Sequence, residues 1–217
     1  HKCKRITYID ADIFFFNSPK KIIDEFLRSK KKIYLTEHSF ENKKDANFAG
    51  RFCVQYMIFK NEKITKIILK KWQNQCIKWC HAYHHNGKFG DQKYLDKWPT
   101  KYKKYICISK NNNFFQGPWN INKFENQNLI FYHFHGLKIL DKKVYIFSKY
   151  GISKKALKSL YFPYVKILKK NLKIINDSFK QYEEKYLFIN DLKLFFYNKF
   201  FKKKKINRFI FYLEKIK

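Results

Sequence analysis

The apolar positions of this chain fall into two rhythms. Residues 6–9 form a compact apolar run that ends directly in Asp10-Ala11-Asp12, and a second run at 13–16 closes on the turn signal Asn17-Ser18-Pro19. Runs of this length, bounded by polar punctuation, read as short buried strands. Pro19 then opens a helix to about residue 28, because its fixed φ suits the first turn and its missing N–H is no loss there. Further strands are expected at 32–36, ending at Glu37-His38, and at 52–59, with a polar, charged loop over 39–49 between them. From 62 to 83 the spacing changes. Ile64, Ile68, Trp72, Cys76, Trp79 and Tyr83 recur every three or four positions, the stripe of a core-facing helix. Residues 84–90 break it, a short helix over 92–98 stops before Pro99, and strands follow at 105–109 and 129–134. Strands alternating with helices predict an α/β sheet rather than a bundle.

Beyond residue 141 the pattern becomes Lys-rich and helical, with segments at 154–172 and 182–201, a lysine run at 202–205 and an aromatic tail. Residues 1–140 are therefore expected to form the core and 141–217 a basic helical extension packed on its sheet. With 217 residues, 45% of them hydrophobic and 20% aromatic, the chain can bury a sizeable core. It opens on His1 with a strand almost at once, so the expectation is that a preceding nucleotide-binding portion is missing.

The formal charge of +31 would ordinarily point to nucleic acid or an anionic surface. Yet only Arg5, Arg28, Arg51 and Arg208 among the 48 basic residues carry the guanidinium that reads phosphates and bases bidentately. Lys, Asn, Ile, Phe and Tyr are abundant together, the mark of an AT-rich coding bias. The charge therefore reads as solvated lysine surface, with no nucleic acid as partner. The cysteines Cys3, Cys53, Cys76, Cys80 and Cys107 form no regular framework, and no signal peptide or long apolar span is visible. A reducing, cytoplasmic setting fits. The tail over 195–217 offers peripheral contact with the inner membrane face, or is an ordinary basic helix end. Cys76 and Cys80, near His81, His84 and His85, have no second cysteine pair at finger-like spacing, so a core stripe explains them better than zinc.

Chemistry concentrates at Asp10 and Asp12. Two carboxylates separated by a small residue at a strand end can hold a hard divalent cation, Mn2+ or Mg2+, with Ala11 leaving room for a ligand to approach. Ligands of open α/β sheets bind beyond strand carboxyl ends. A lone Asp-x-Asp is often just a polar strand end. Here two of only nine aspartates interrupt the apolar "ITYIDADIFFF", where unpaired carboxylates would be costly. In an extended strand His133 and His135 share a side, and imidazole at a strand end is a plausible third ligand; a hydrogen-bonded core histidine is the alternative for each. Asp91, after Gly90 and before a short helix, is a natural N-cap. The loop "NFFQGPWN" joins a Gly-Pro turn to an indole, as where an aromatic face meets a sugar or simply fixes a loop.

"YIDADIFFFNSP", "GKFGDQKYLDKWP", "GPWN" and "FYHFHGL" occur in the order found in bacterial nucleotide-diphospho-sugar transferases of the GT-A fold, relatives of glycogenin, and residues 6–137 resemble that family. The resemblance implies a Rossmann-like mixed sheet flanked by helices. It also implies a metal-dependent, retaining transfer of sugar from a nucleotide-sugar donor to a glycan or lipid-linked acceptor. By the same resemblance Asp10, Asp12 and His133 would bind the metal. Asp10, Ala11, Asp12, Trp119, Asn120, His135 and Gly136 would lie on the donor side, with Asp91 and Gln92 beside the reacting sugar. "RFCVQY" departs from the Asn-x-Gly of glycogenin-like relatives, having Cys53 and Gln55 instead, and Glu37 and His38 read as a polar strand end near the donor. The alternative to an enzyme is a non-catalytic binder of polyanions or membrane surfaces on the same scaffold.

Overall fold

Residues 3–125, 127–140, 143–172 and 207–212 are described by the computed structural model, which falls into two units, His1–His133 and Phe134–Lys217. The elements of the first begin β1 (Arg5–Ile9), β2 (Ile13–Phe15), α1 (Lys20–Ser29), β3 (Ile33–Glu37), α2 (Lys43–Ala49), β4 (Phe52–Lys60) and α3 (Lys63–Lys78). A 3-10 turn at Gln92–Lys97 leads into α4 (Trp98–Lys101), followed by β5 (Ile106–Ile108), β6 (Phe115–Gln116), α5 (Ile121–Phe124) and β7 (Phe131–His133). The fold is α/β, as the alternating rhythm predicts.

A four-stranded sheet runs β1-β4-β3-β5, antiparallel except for the parallel β3–β5 pair. The period of two along β3 and β4 sorts their side chains between two cores. Tyr34, Tyr56 and Ile58 pack with Ile22 and Phe26 of α1 and with Phe115 and Phe131. Ile33, Leu35, Met57 and Phe59 pack with Ile68 of α3 and with Leu95 and Trp98. A second, three-stranded sheet runs β2-β7-β6, in which Ile13 lies opposite His133. Asp10-Ala11-Asp12 is thus the short connection by which the chain leaves one sheet and enters the other.

Four local expectations change. The first strand is not buried: β1 is the outer strand of its sheet, and Ile6, Tyr8 and Ile9 are 58%, 48% and 43% exposed. The expected loop at 39–49 contains α2, started by Asn42, whose side chain accepts from the Lys44 N–H at 2.9 Å, and stopped by Gly50 at φ 108°. The third helix ends at Lys78 because Trp79 turns extended, so Trp79 and Tyr83 leave the stripe. Pro99 does not stop its helix. It sits in the first turn of α4, where the absent N–H costs nothing.

The second unit opens with an antiparallel hairpin, β8 (Leu137–Leu140) and β9 (Lys143–Ser148), and β10 (Asn207–Tyr212) pairs with β9. Then come α6 (Lys154–Ala156), capped by Ser153 Oγ, a π turn at Leu157–Tyr161, and α7 (Phe162–Leu172). Val144 packs on Val165, with Leu137 and Ile139 against them, and the Phe134 ring stacks on Tyr164 at 3.9 Å. The basic extension is therefore not helical throughout: alternating Leu137, Ile139, Val144 and Ile146 carry a strand period between the lysines. The segments at 182–201 and 202–205 lie outside the described residues.

Candidate active site

The Ile13–His133 pairing sets the geometry. It brings the residue before Ile13 alongside the imidazole, and His133 Nε2 lies 2.9 Å from Asp12 Oδ1 and 4.0 Å from Asp10 Oδ2. Asp10 is held from the other sheet, its N–H donating to the Gln55 carbonyl at 3.0 Å. Its Oδ1 accepts from the Tyr8 hydroxyl at 2.7 Å, a bond that pushes the Tyr8 phenol up to about 12. His133 is 6% exposed, whereas the Asp12 side chain keeps 44% of its surface, so the group opens to solvent on the carboxylate side.

Gln55 orients the imidazole. Its Oε1 lies 3.1 Å from His133 Nδ1, and its Nε2 faces Thr36 Oγ1 at 3.5 Å. An amide oxygen only accepts, so it favours a proton on Nδ1 and leaves Nε2, which faces the two aspartates, as the ring atom a cation would take. The β3–β4 ladder slips between Tyr34 and Thr36, and Gln55 lies in the stretch of β4 where the register changes, an irregularity of the kind that re-aims side chains. Sequence reasoning marked Gln55 only as a departure from a motif. A wholly buried polar residue within the apolar "FCVQYMIF" was the available signal.

Asp91 belongs to the same neighbourhood. Burial and then the charge of Asp10 raise its carboxyl above the ordinary carboxylate range, while hydrogen bonds from backbone N–H groups pull it down. Asp10, Asp12 and Asp91 together add to the burial that pushes the Cys53 thiol up. Three carboxylates close enough to act on one thiol repel one another, and a divalent cation relieves that repulsion. Two carboxylates and an imidazole whose Nε2 faces them are a donor set suited to manganese or magnesium. The N–H groups that bond the Asp91 carboxyl are those of Asp91 itself and of Gln92, where the following turn starts.

Several of the remaining predicted residues hold backbone in place. The Gln92 amide donates to the Ala49 carbonyl at 2.8 Å, securing the turn that carries Asp91. Asn120 is wholly buried: its Oδ1 accepts from Gly117 N–H, and its Nδ2 donates to the carbonyls of His38 and Phe115. These bonds fix the loop. Trp119 is 4% exposed, edge-on to His133 and to His38 with ring centroids 5.2 Å away in each case. A Cβ on Gly117 would come within 2.7 Å of the indole, which explains that glycine. Ala11 is exposed between the two aspartates. Glu37 is paired with Arg51 and accepts from Asn112. His135 and Gly136 lie in the second unit, His135 exposed in a turn and Gly136 at φ 80°, where a Cβ would collide with the Phe147 carbonyl. That glycine is required by its own hairpin.

No protein-family model matches the chain. It is 26% identical over 197 residues to the uncharacterized protein YfnD of Bacillus subtilis (strain 168), covering 83% of this chain and 62% of that protein. It is 29% identical over 157 residues to YfnF of the same organism, covering 63% of this chain and 51% of that one. The chain thus spans between half and two thirds of the length of these relatives. Among solved structures it is similar to apo mouse xyloside xylosyltransferase 1, with a TM-score of 0.37, 14% identity, and coverage of 61% of this chain and 57% of that one. Likeness at that level carries no weight for activity. No helix among the described residues is long and apolar enough to cross a membrane.

Proposed function

We propose that this chain is the metal-binding core of a glycosyltransferase that moves a sugar from a nucleoside-diphosphate donor to a hydroxyl of a glycan or lipid-linked acceptor. One observation carries the reading: Asp10 and Asp12, at the junction of two sheets, converge on the Nε2 of His133, which arrives from 121 positions later in the chain. The four ordered motifs of the sequence point the same way. Asp10, Asp12 and His133 would hold manganese or magnesium, which supplies charge neutralisation for a departing diphosphate. Ala11, without bulk, leaves the approach between the carboxylates open.

In the transfer, the acceptor oxygen bonds to the anomeric carbon, and the bond from that carbon to the diphosphate oxygen breaks with its electron pair on the diphosphate. The hydroxyl proton passes to the departing phosphate, and by resemblance configuration is retained. Asp91 would hold sugar hydroxyls and offset positive charge at the anomeric carbon. Gln92 acts on Asp91 through its bond to Ala49. The free cysteines fit a reducing cytoplasmic setting.

The test is a screen of nucleotide sugars for manganese-dependent hydrolysis and thermal protection, run on the unaltered protein and on Asp12→Ala. Asp12 is partly exposed, so the variant keeps the fold and loses turnover and protection. Manganese-dependent turnover retained in Asp12→Ala refutes the assignment. Salt-sensitive adhesion to anionic vesicles without donor protection marks the protein instead as a non-catalytic binder.

A further inference from the structure

A cleft of about 610 Å³ opens along α3 and ends at Asp91. That volume is within the usual range for a small-molecule site. Leu69, Trp72 and Cys76 line it from one side of the helix, with Lys66 and Lys70 one turn apart beside them and Gln73, whose amide oxygen accepts from Lys70 Nζ at 2.9 Å. The cleft is joined to the active-site segment directly, because the Trp72 indole N–H donates to the Asp91 carbonyl at 2.9 Å. Burial pushes the Cys76 thiol up to about 12, so it serves as an apolar wall and not as a nucleophile.

The lining selects its occupant. The exposed surface of the cleft is mostly apolar, which matches a hydrocarbon body better than a bare sugar, whose hydroxyls would lose water along Leu69, Trp72 and Cys76 without replacement partners. Two ammonium groups at one side match a compact anion. From these features we infer that the cleft seats the acceptor of the proposed transfer, and that this acceptor is an amphiphile carrying a phosphate. Its apolar body lies on Leu69, Trp72 and Cys76, its phosphate faces Lys66 and Lys70, and its hydroxyl end reaches Asp91. The assignment rests on the glycosyltransferase reading and narrows its acceptor from glycans in general to phosphate-bearing lipid-like carriers.

The probe is n-decyl phosphate below its micellar concentration, with inorganic phosphate and decyl maltoside as comparisons, titrated calorimetrically into the full chain. Decyl phosphate is expected to bind saturably, at least tenfold tighter than either comparison. Lys66→Glu combined with Lys70→Glu, and separately Leu69→Glu, are expected to weaken it tenfold or more while leaving manganese affinity unchanged. Lys43→Glu with Lys44→Glu, an equal charge change on the exposed first turn of α2, leaves binding intact. Equal weakening by that control pair, or binding indifferent to the cleft variants, overturns the cleft assignment while intact manganese binding preserves the enzymatic reading. Cleft-dependent binding in a protein that takes up no manganese overturns the acceptor role through the failure of the enzymatic reading itself.

Discussion

Replacing Gln55 with Leu should weaken the metal site without touching any ligand. Gln55 is 0% exposed and His133 6% exposed, so no water can take over when the amide oxygen 3.1 Å from Nδ1 is removed. A buried donor left without an acceptor costs about 1–3 kcal/mol. That cost falls on the tautomer with its proton on Nδ1, the one that leaves Nε2 available to a cation. At about 1.4 kcal/mol per factor of ten, manganese affinity should fall roughly 5- to 140-fold. Loss of a group supporting a metal-ligating histidine typically costs about 10–100-fold, in agreement. The assay is manganese titration followed by calorimetry or electron paramagnetic resonance, with circular dichroism reporting the fold. Gln55→Glu keeps an acceptor opposite Nδ1 and should restore affinity to within a few-fold of the original. Unchanged manganese affinity in a folded Gln55→Leu protein would show that the amide does not set the imidazole, and the argument for the site's preorganisation would fail.

Two further outcomes follow from the geometry. Asn120→Ala removes three buried hydrogen bonds to backbone and should cost about 2–4 kcal/mol of stability, read as a lowered denaturation midpoint; an unchanged midpoint would mean the loop is held by Trp119 packing alone. The Asp91 carboxyl is raised in the folded state chiefly by burial, so its ionised form is disfavoured there. Its contribution to stability is fully present below the unfolded pKa and is lost as pH rises through the folded one. In chelator, Asp91→Asn should therefore be the more stable protein at neutral pH, with the gap closing as pH falls towards the ordinary carboxylate value; a gap independent of pH refutes this.

Much of the architecture is written locally. Periods of two and of three to four residues separate strands from helices, because each element must present one face to a core, and the run "YIDADIFFF" announces two strands joined through acidic residues. The misread stretches were local too: Asn42 caps a helix in what looked like a loop, and Trp79 ends one early. Which strand lies beside which was not legible. Only the fold decides that β1 is an outer strand, that Ile13 lies opposite His133, and that Gln55 reaches that histidine from a different sheet. Periodicity records how a segment meets its own immediate surroundings, whereas a pairing between distant segments is selected by the packing of the whole unit, and the proposed metal site needs such a pairing to bring His133 to the two aspartates.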